Sequence, residues 1–179
     1  VKSIGNAAFQ GCSSLTSITI PECVTSIGNG AFFGCISLTS SITIPEGVTS
    51  IGESAFSGCK SLNGVELPDS VTSLSKYAFY NCDSLTGILI SPNVTKIEEY
   101  AFENCDNLTN IVIPPGVSSI EAYTFQGCSN LITVEIPDGI TKIRPEAFSN
   151  CNNLTNIEIP SSVTKINSQA FENNKLTNL

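Results

Sequence analysis

Cysteines are the residues of this 179-residue chain with the widest capacity for chemistry, because a thiol can be a nucleophile, a metal ligand or half of a disulfide. Seven of the eight recur at spacings of 23 or 24 residues: Cys12, Cys35, Cys59, Cys82, Cys105, Cys128 and Cys151. Equivalent side chains in stacked repeats point the same way, a poor geometry for disulfides. The chain has no histidine and no Cys-x-x-Cys pair, so no metal site is predicted. We predict a column of buried, reduced thiols.

The eighth cysteine, Cys23, lies outside this column. Its equivalents in the other repeats are turn-forming residues such as Gly47, Ser70 and Asn93. We therefore expect Cys23 to be partly exposed, and it is a candidate intermolecular thiol. Pairing with another chain and remaining free are both open to it.

Other reactive patterns are missing from the sequence. There is no nucleophile elbow, no phosphate-binding Walker loop and no histidine for acid–base work. We therefore predict that the protein is not an enzyme and that it has no catalytic residues and no cofactor. A net charge of −8 disfavours nucleic acid and anionic lipid as partners. No apolar run approaches the roughly 20 residues of a membrane helix, so direct membrane insertion is not predicted.

The cysteines belong to a 23-residue repeat that also carries an invariant phenylalanine. This residue falls at Phe9, Phe32, Phe56, Phe79, Phe102, Phe125, Phe148 and Phe171. In LTSITIP, alternation predicts a strand with Ile18 and Ile20 facing inward, ended by Pro21. A second extended piece buries Val24 and Ile27, and a turn of helix ending in Ala-Phe follows.

A stop signal closes each predicted helical turn, because only Gly or Asn occurs there and both tolerate a left-handed backbone. These residues are Gly11, Gly34, Gly58, Asn81, Asn104, Gly127, Asn150 and Asn173. No single unit can bury its own apolar residues, so stacking must form one continuous core. The sequence thus predicts a repeat solenoid, mainly β with short helical turns.

We expect residues 1–179 to form a single array of about eight units, as a fragment of a longer chain. The one 24-residue spacing comes from Ser40–Ser41, which predicts a bulge beside a strand. The array begins mid-unit at Val1 and ends mid-strand at Asn178–Leu179. Because terminal repeats normally need capping, these ends predict a homodimer formed through uncapped ends.

One column of strand residues is predicted to face solvent and to hold the partner-binding site. It reads Thr19, Thr43, Glu66, Leu89, Val112, Glu135 and Glu158. Exposed aliphatic residues with a polar rim can mark a protein interface, whereas two isolated ones need no explanation. The candidate partner-binding residues are Glu66, Leu89, Val112, Glu135 and Glu158.

The repeat resembles the BspA-like branch of the leucine-rich repeat family, whose units read LxxIxIPxxVxxIGxxAFxxC, as in Leu62 to Cys82 and Leu131 to Cys151. The resemblance implies a curved, right-handed superhelix with a parallel sheet on its concave face. It also implies a cell-surface or secreted protein that adheres to a host protein, such as an extracellular-matrix protein, and contributes to virulence. The alternative is an intracellular, cytoplasmic interaction scaffold, which reduced thiols suit better.

Overall fold

The computed structural model describes residues 1–178, which form a stack of coils with one repeat in each coil. The first row of strands follows the conserved leucine: β1 (Ile42–Thr43), β3 (Gly64–Glu66), β5 (Gly87–Leu89), β7 (Asn110–Val112) and β9 (Thr133–Glu135). The second row follows a recurring valine, replaced by Ile140 before β10. Its strands are β2 (Ser50–Ile51), β4 (Ser73–Leu74), β6 (Lys96–Ile97), β8 (Ser119–Ile120), β10 (Lys142–Ile143) and β11 (Lys165–Ile166). The predicted repeat solenoid is confirmed.

All strand pairs are parallel and join equivalent positions of neighbouring repeats. Val65 of β3 pairs with Ile88 of β5, for example, and Lys142 of β10 with Lys165 of β11. The first row forms the sheets β1-β3-β5 and β7-β9, and the second forms β2-β4-β6 and β8-β10-β11. Both rows are therefore interrupted between the same two coils.

The segment predicted as a helical turn is a run of hydrogen-bonded turns, and no regular helix is formed within residues 1–178. Its amides alternate in their acceptors. Ala78 donates to Ser75 of its own coil (3.2 Å), whereas Phe79 donates to Ala101 of the next coil (2.8 Å). An α-helix would need all these amides for bonds within the segment. Here every second amide donates to a carbonyl oxygen of the next coil instead.

The Gly or Asn after Ala-Phe has a left-handed backbone in every repeat, with φ between 54° and 73°, as predicted. A second left-handed position, four residues earlier, was not predicted. It is Ala7, Gly30, Ser54, Tyr77, Tyr100, Tyr123, Glu146 and Gln169, with φ between 54° and 63°. Its residue types include bulky ones that rarely adopt this backbone, so no Gly or Asn signal marks it.

The invariant phenylalanines form the centre of one continuous core. Their rings stack from Phe9 to Phe171 with centroids 5.1 to 5.5 Å apart. Leucine, isoleucine and valine side chains pack around them. Each large apolar side chain buried in this way contributes about 1.5–3 kcal/mol.

Six cysteines of the column are buried and free, as predicted, and each is also a hydrogen-bond donor. Each Sγ donates to the carbonyl oxygen of the phenylalanine in the preceding coil, at 3.1 or 3.2 Å. Cys12 differs from the prediction because it is exposed. It lies in the first described coil, so no preceding coil covers it.

The extra residue at Ser40–Ser41 lies just before β1 and leaves the pairing of β1 with β3 in register. A Cβ on Gly64 of β3 would lie 2.8 Å from Ser41 Oγ, so glycine at this position leaves room for the Ser41 side chain. At the other end of the array, the predicted uncapped end includes Leu179, which lies outside the described residues. The homodimer stays a prediction.

Candidate interaction surface

The predicted solvent-facing column lies along the first row of strands. Leu89 of β5 is 78% exposed and Val112 of β7 is 51% exposed, although both are aliphatic. Their strand neighbours Ile88 and Ile111 point inward and pack in or against the core. The alternation of the strands therefore places two neighbouring aliphatic side chains in solvent.

These two residues flank the interruption of the sheet. Leu89 is paired with Glu66 of β3, and Val112 with Glu135 of β9. Among residues 1–178, no strand pairing joins β5 to β7, although the two strands are neighbours. The exposed aliphatic pair thus lies on either side of the break between β5 and β7, with a carboxylate in the next repeat on each side.

The carboxylates of the column have different surroundings. Glu66 accepts a hydrogen bond from the Thr43 hydroxyl, with 2.9 Å between Oγ1 and Oε2. Glu135 and Glu158 line an open cleft of about 430 Å³ between the last two coils, together with Asp138 and Asn156. Three acidic side chains around one cleft favour a basic group as its occupant.

Two features of this surface were not predicted. One is the cleft itself, which lies between β9 and residues 156–160, and on this side no described strand pairs with β9. The alternation of residue types along the strands does not reveal this opening. The other is Ile132, which is 52% exposed. The exposure of Ile132 could have been predicted, because the equivalent residues in the other repeats are the polar Thr or Asn.

Cys23 is exposed and lies apart from the strand column. Its Sγ donates to the Val1 carbonyl oxygen at 3.1 Å. An intermolecular role for this thiol stays a prediction. Within the described part of the chain, no three Cys, Asp or Glu side chains are grouped to hold a metal ion. No helix in residues 1–178 has the length and apolarity to cross a membrane.

Comparison with protein families decides the relationship that the repeat suggested. Residues 2–132 and 72–179 match the family described as "BspA type Leucine rich repeat region (6 copies)". The chain belongs to the BspA type leucine-rich repeat family. No curated protein matches this family member at a significant level.

Solved structures agree with this BspA type assignment. A leucine rich cell surface protein from Faecalibacterium prausnitzii is 33% identical to this chain and superposes with a TM-score of 0.80. The match covers 91% of this chain and 48% of that protein. A leucine-rich repeat protein from Bacteroides ovatus is 32% identical with a TM-score of 0.69, covering 93% and 49%. The Treponema pallidum leucine rich repeat protein is 26% identical with a TM-score of 0.65, covering 86% and 83%.

The BspA type chain spans about half the length of the first two of these proteins. It shares their leucine-rich repeat fold, and one of them is described as a cell surface protein.

Proposed function

We propose that this chain is a protein-binding domain of a bacterial cell-surface or secreted protein that adheres to a host protein and catalyses no reaction. The observation that carries the proposal is the exposed pair Leu89 and Val112, set in a column of carboxylates. Aliphatic side chains that lie side by side in solvent within a polar rim can mark a partner-binding site. The surface location is supported by the similarity to a cell surface protein of Faecalibacterium prausnitzii.

The chemistry of the column indicates what the partner offers. An apolar contact would cover Leu89 and Val112, while basic side chains would face Glu66, Glu135 and Glu158. A rim of charge around an apolar centre is the usual anatomy of a protein interface. An extracellular-matrix protein with a mixed apolar and basic surface is the partner class that we propose.

The test is to measure binding of the chain to a panel of immobilised extracellular-matrix proteins by biolayer interferometry. Leu89→Thr/Val112→Thr is the informative variant, because Thr19 and Thr43 occupy the same column in other repeats. We expect the double variant to weaken binding by about tenfold or more, from lost apolar burial. Ile36→Ser is the matched control, since Ile36 is an exposed aliphatic residue in a turn outside the strands, and Ser13 and Ser129 occupy its position in other repeats.

Two results would overturn the proposal. One is that no member of the panel binds the chain. The other is that the double variant binds as tightly as the unmodified chain and the Ile36→Ser control, which would place the contact elsewhere.

A second candidate is an intracellular interaction scaffold, favoured by the eight free cysteines. Thiols persist in reducing compartments, whereas secreted proteins usually form disulfides. Fractionation of the producing cells distinguishes the two locations. Recovery of the gene product only in the cytosol, together with no binding to the matrix panel, would favour the scaffold.

A further inference from the structure

A second surface is formed by three tyrosines at the same position of successive repeats: Tyr77, Tyr100 and Tyr123, here called the tyrosine ladder. Their rings stack with centroids 4.7 and 4.6 Å apart and planes 14° and 4° from parallel. Tyr80 meets Tyr77 edge-on, at 5.6 Å and 90°. All four side chains are partly exposed. The ladder lies on the turn segments and is separate from the strand column.

The fold does not require tyrosine at these positions. The three backbones are left-handed, with φ of 58°, 63° and 62°, a conformation that disfavours bulky residues. Other repeats hold the same backbone with Gly30, Ser54 or Gln169. Three bulky residues in an unfavourable conformation, at the surface, point to a role in recognition.

Carboxylates border the ladder and make it electronegative. Desolvation first and then the nearby Glu146 raise the pKa of Glu103. Glu146 is also the main cause of the raised pKa of the Tyr123 hydroxyl. The cation beside the ladder, Lys76, is already paired with Glu99 at 2.7 Å. A negative, aromatic surface of this kind complements a cation with a flat apolar face.

The stacking column ends at Tyr77 with small residues beyond it. The next positions toward the amino terminus are Ser54 and Gly30, which line an open trough of about 340 Å³ with Phe33 and Glu53. Glu53 is exposed and has no ion-pair partner among residues 1–178. A flat cationic group in this trough would lie beside the ring of Phe33 and the carboxylate of Glu53.

We propose that the tyrosine ladder and the adjoining trough bind an arginine-rich segment of a partner protein, with one guanidinium in the trough beside Glu53. A guanidinium is planar and weakly hydrated, so it stacks on aromatic rings and also pairs with carboxylates in a bidentate manner. Lysine has no such face. Sugars stack on ring faces, and within the ladder these faces cover one another. This site is independent of the strand column.

Fluorescence anisotropy with labelled peptides tests the proposal. An alternating Arg-Ser peptide should bind the chain more tightly than an alternating Lys-Ser peptide of equal length. Glu53→Gln and Tyr77→Gly should each weaken binding of the Arg-Ser peptide by several-fold to about tenfold, the range of a cation–π contact or a close ion pair. Gln169→Gly is the matched control at the same repeat position and should leave binding unchanged.

Ser54→Tyr provides a test that does not remove a ring. The added ring extends the ladder into the trough, so the Arg-Ser peptide should bind more weakly while the thermal midpoint changes little. If Tyr77→Gly fails to fold, Ser54→Tyr and Glu53→Gln still decide the outcome.

Three results would overturn the proposal. Equal binding of the Arg-Ser and Lys-Ser peptides would indicate non-specific attraction to an acidic protein. Displacement of the Arg-Ser peptide by a neutral oligosaccharide would indicate a carbohydrate site. A lowered thermal midpoint of Tyr77→Gly with unchanged peptide affinity would mean that the ladder only stabilises the fold.

Discussion

At the scale of single residues, the thiol column shows how the stack changes cysteine chemistry. Burial is the main cause of a raised pKa in these thiols, reaching about 12 for Cys59 and for Cys151. A neighbouring thiol raises the pKa of Cys59 further. The thiolate is the reactive form, so the buried cysteines are neutral and unreactive at neutral pH. They act as donors to the phenylalanine carbonyl groups.

Thiol labelling checks this directly. In the native chain, Ellman's reagent should react rapidly with the exposed Cys12 and Cys23. The buried thiols should react only after unfolding in guanidinium, because they are protonated and covered. A Cys12→Ser/Cys23→Ser control should show almost no rapid phase. Rapid reaction of that variant's remaining thiols would contradict a buried column.

The raised thiol pKa values also predict alkaline sensitivity. Because the folded state holds these protons more tightly than the unfolded chain, the thiols' contribution is fully present below pH 9. It is lost as pH rises from the ordinary value of 9.0 toward about 12. Each thiol adds a slope of up to about 1.4 kcal/mol per pH unit. Denaturant titrations from pH 8 to pH 11 should show a steep loss of unfolding free energy.

The control for alkaline sensitivity is Cys82→Ser/Cys105→Ser, whose hydroxyls can still donate to the carbonyls of Phe56 and Phe79 but do not titrate. Its unfolding free energy should fall less steeply with pH. An identical pH profile in the variant and the parent chain would contradict the assigned cause.

At the scale of elements, the close approach of neighbouring coils limits which side chains fit in the turns. A Cβ on Gly52 would lie 2.7 Å from the carbonyl carbon of Gly28 in the preceding coil. That neighbour is backbone, so neither side can move aside cheaply. A Cβ on Gly87 in β5, by contrast, would have no heavy atom within 4 Å.

Gly52→Ala and Gly87→Ala therefore form a matched pair. Gly52→Ala should lower the free energy of unfolding by about 1–3 kcal/mol through overpacking. Gly87→Ala should be neutral or stabilise by up to about 1 kcal/mol, since it restricts the unfolded chain. Guanidinium denaturation followed by circular dichroism measures both. Equal effects of the two substitutions would contradict the close packing of coils at Gly52.

The elements also show what sequence reasoning can and cannot reach. The strands from Ile42 onward, the inward Ile20 and Val24, and the left-handed Gly or Asn followed from residue types alone. The strand predicted in LTSITIP is wrong for that repeat, since residues 15–20 form no regular strand and Ile18 is only half-buried. The predicted helical turn is wrong, because half of its amides donate to the next coil instead of to its own. The repeat pattern shows which residues are equivalent, but it does not show which coil accepts each hydrogen bond. The candidate column was placed correctly by alternation, whereas the cleft beside Glu135 depends on packing between coils.

At the scale of the whole molecule, one stacked core makes interior coils more stable than terminal ones. Phe79 is fully buried between Phe56 and Phe102, whereas Phe171 is partly buried and stacks on Phe148 alone among the described rings. Stability in such arrays is a sum of unit and nearest-neighbour contributions. An interior phenylalanine therefore contributes to two interfaces.

Phe79→Ala should cost about 3–5 kcal/mol of unfolding free energy, as expected for a fully buried ring. Phe171→Ala, the control at the end of the ladder, should cost less than half as much because it loses one neighbour and less buried area. Urea titrations of the two variants give the comparison. A cost at Phe171 equal to that at Phe79 would contradict the ladder's dependence on neighbouring coils.

The central claim, that the strand column carrying Leu89 and Val112 binds a protein, is tested most directly by hydrogen–deuterium exchange of the chain with and without its captured matrix partner. We predict slower exchange on binding in β5 and β7, where the two strand sheets are separated, and little change in the turn segments. Protection confined to the turn segments, or no change anywhere in the bound chain, would contradict the claim.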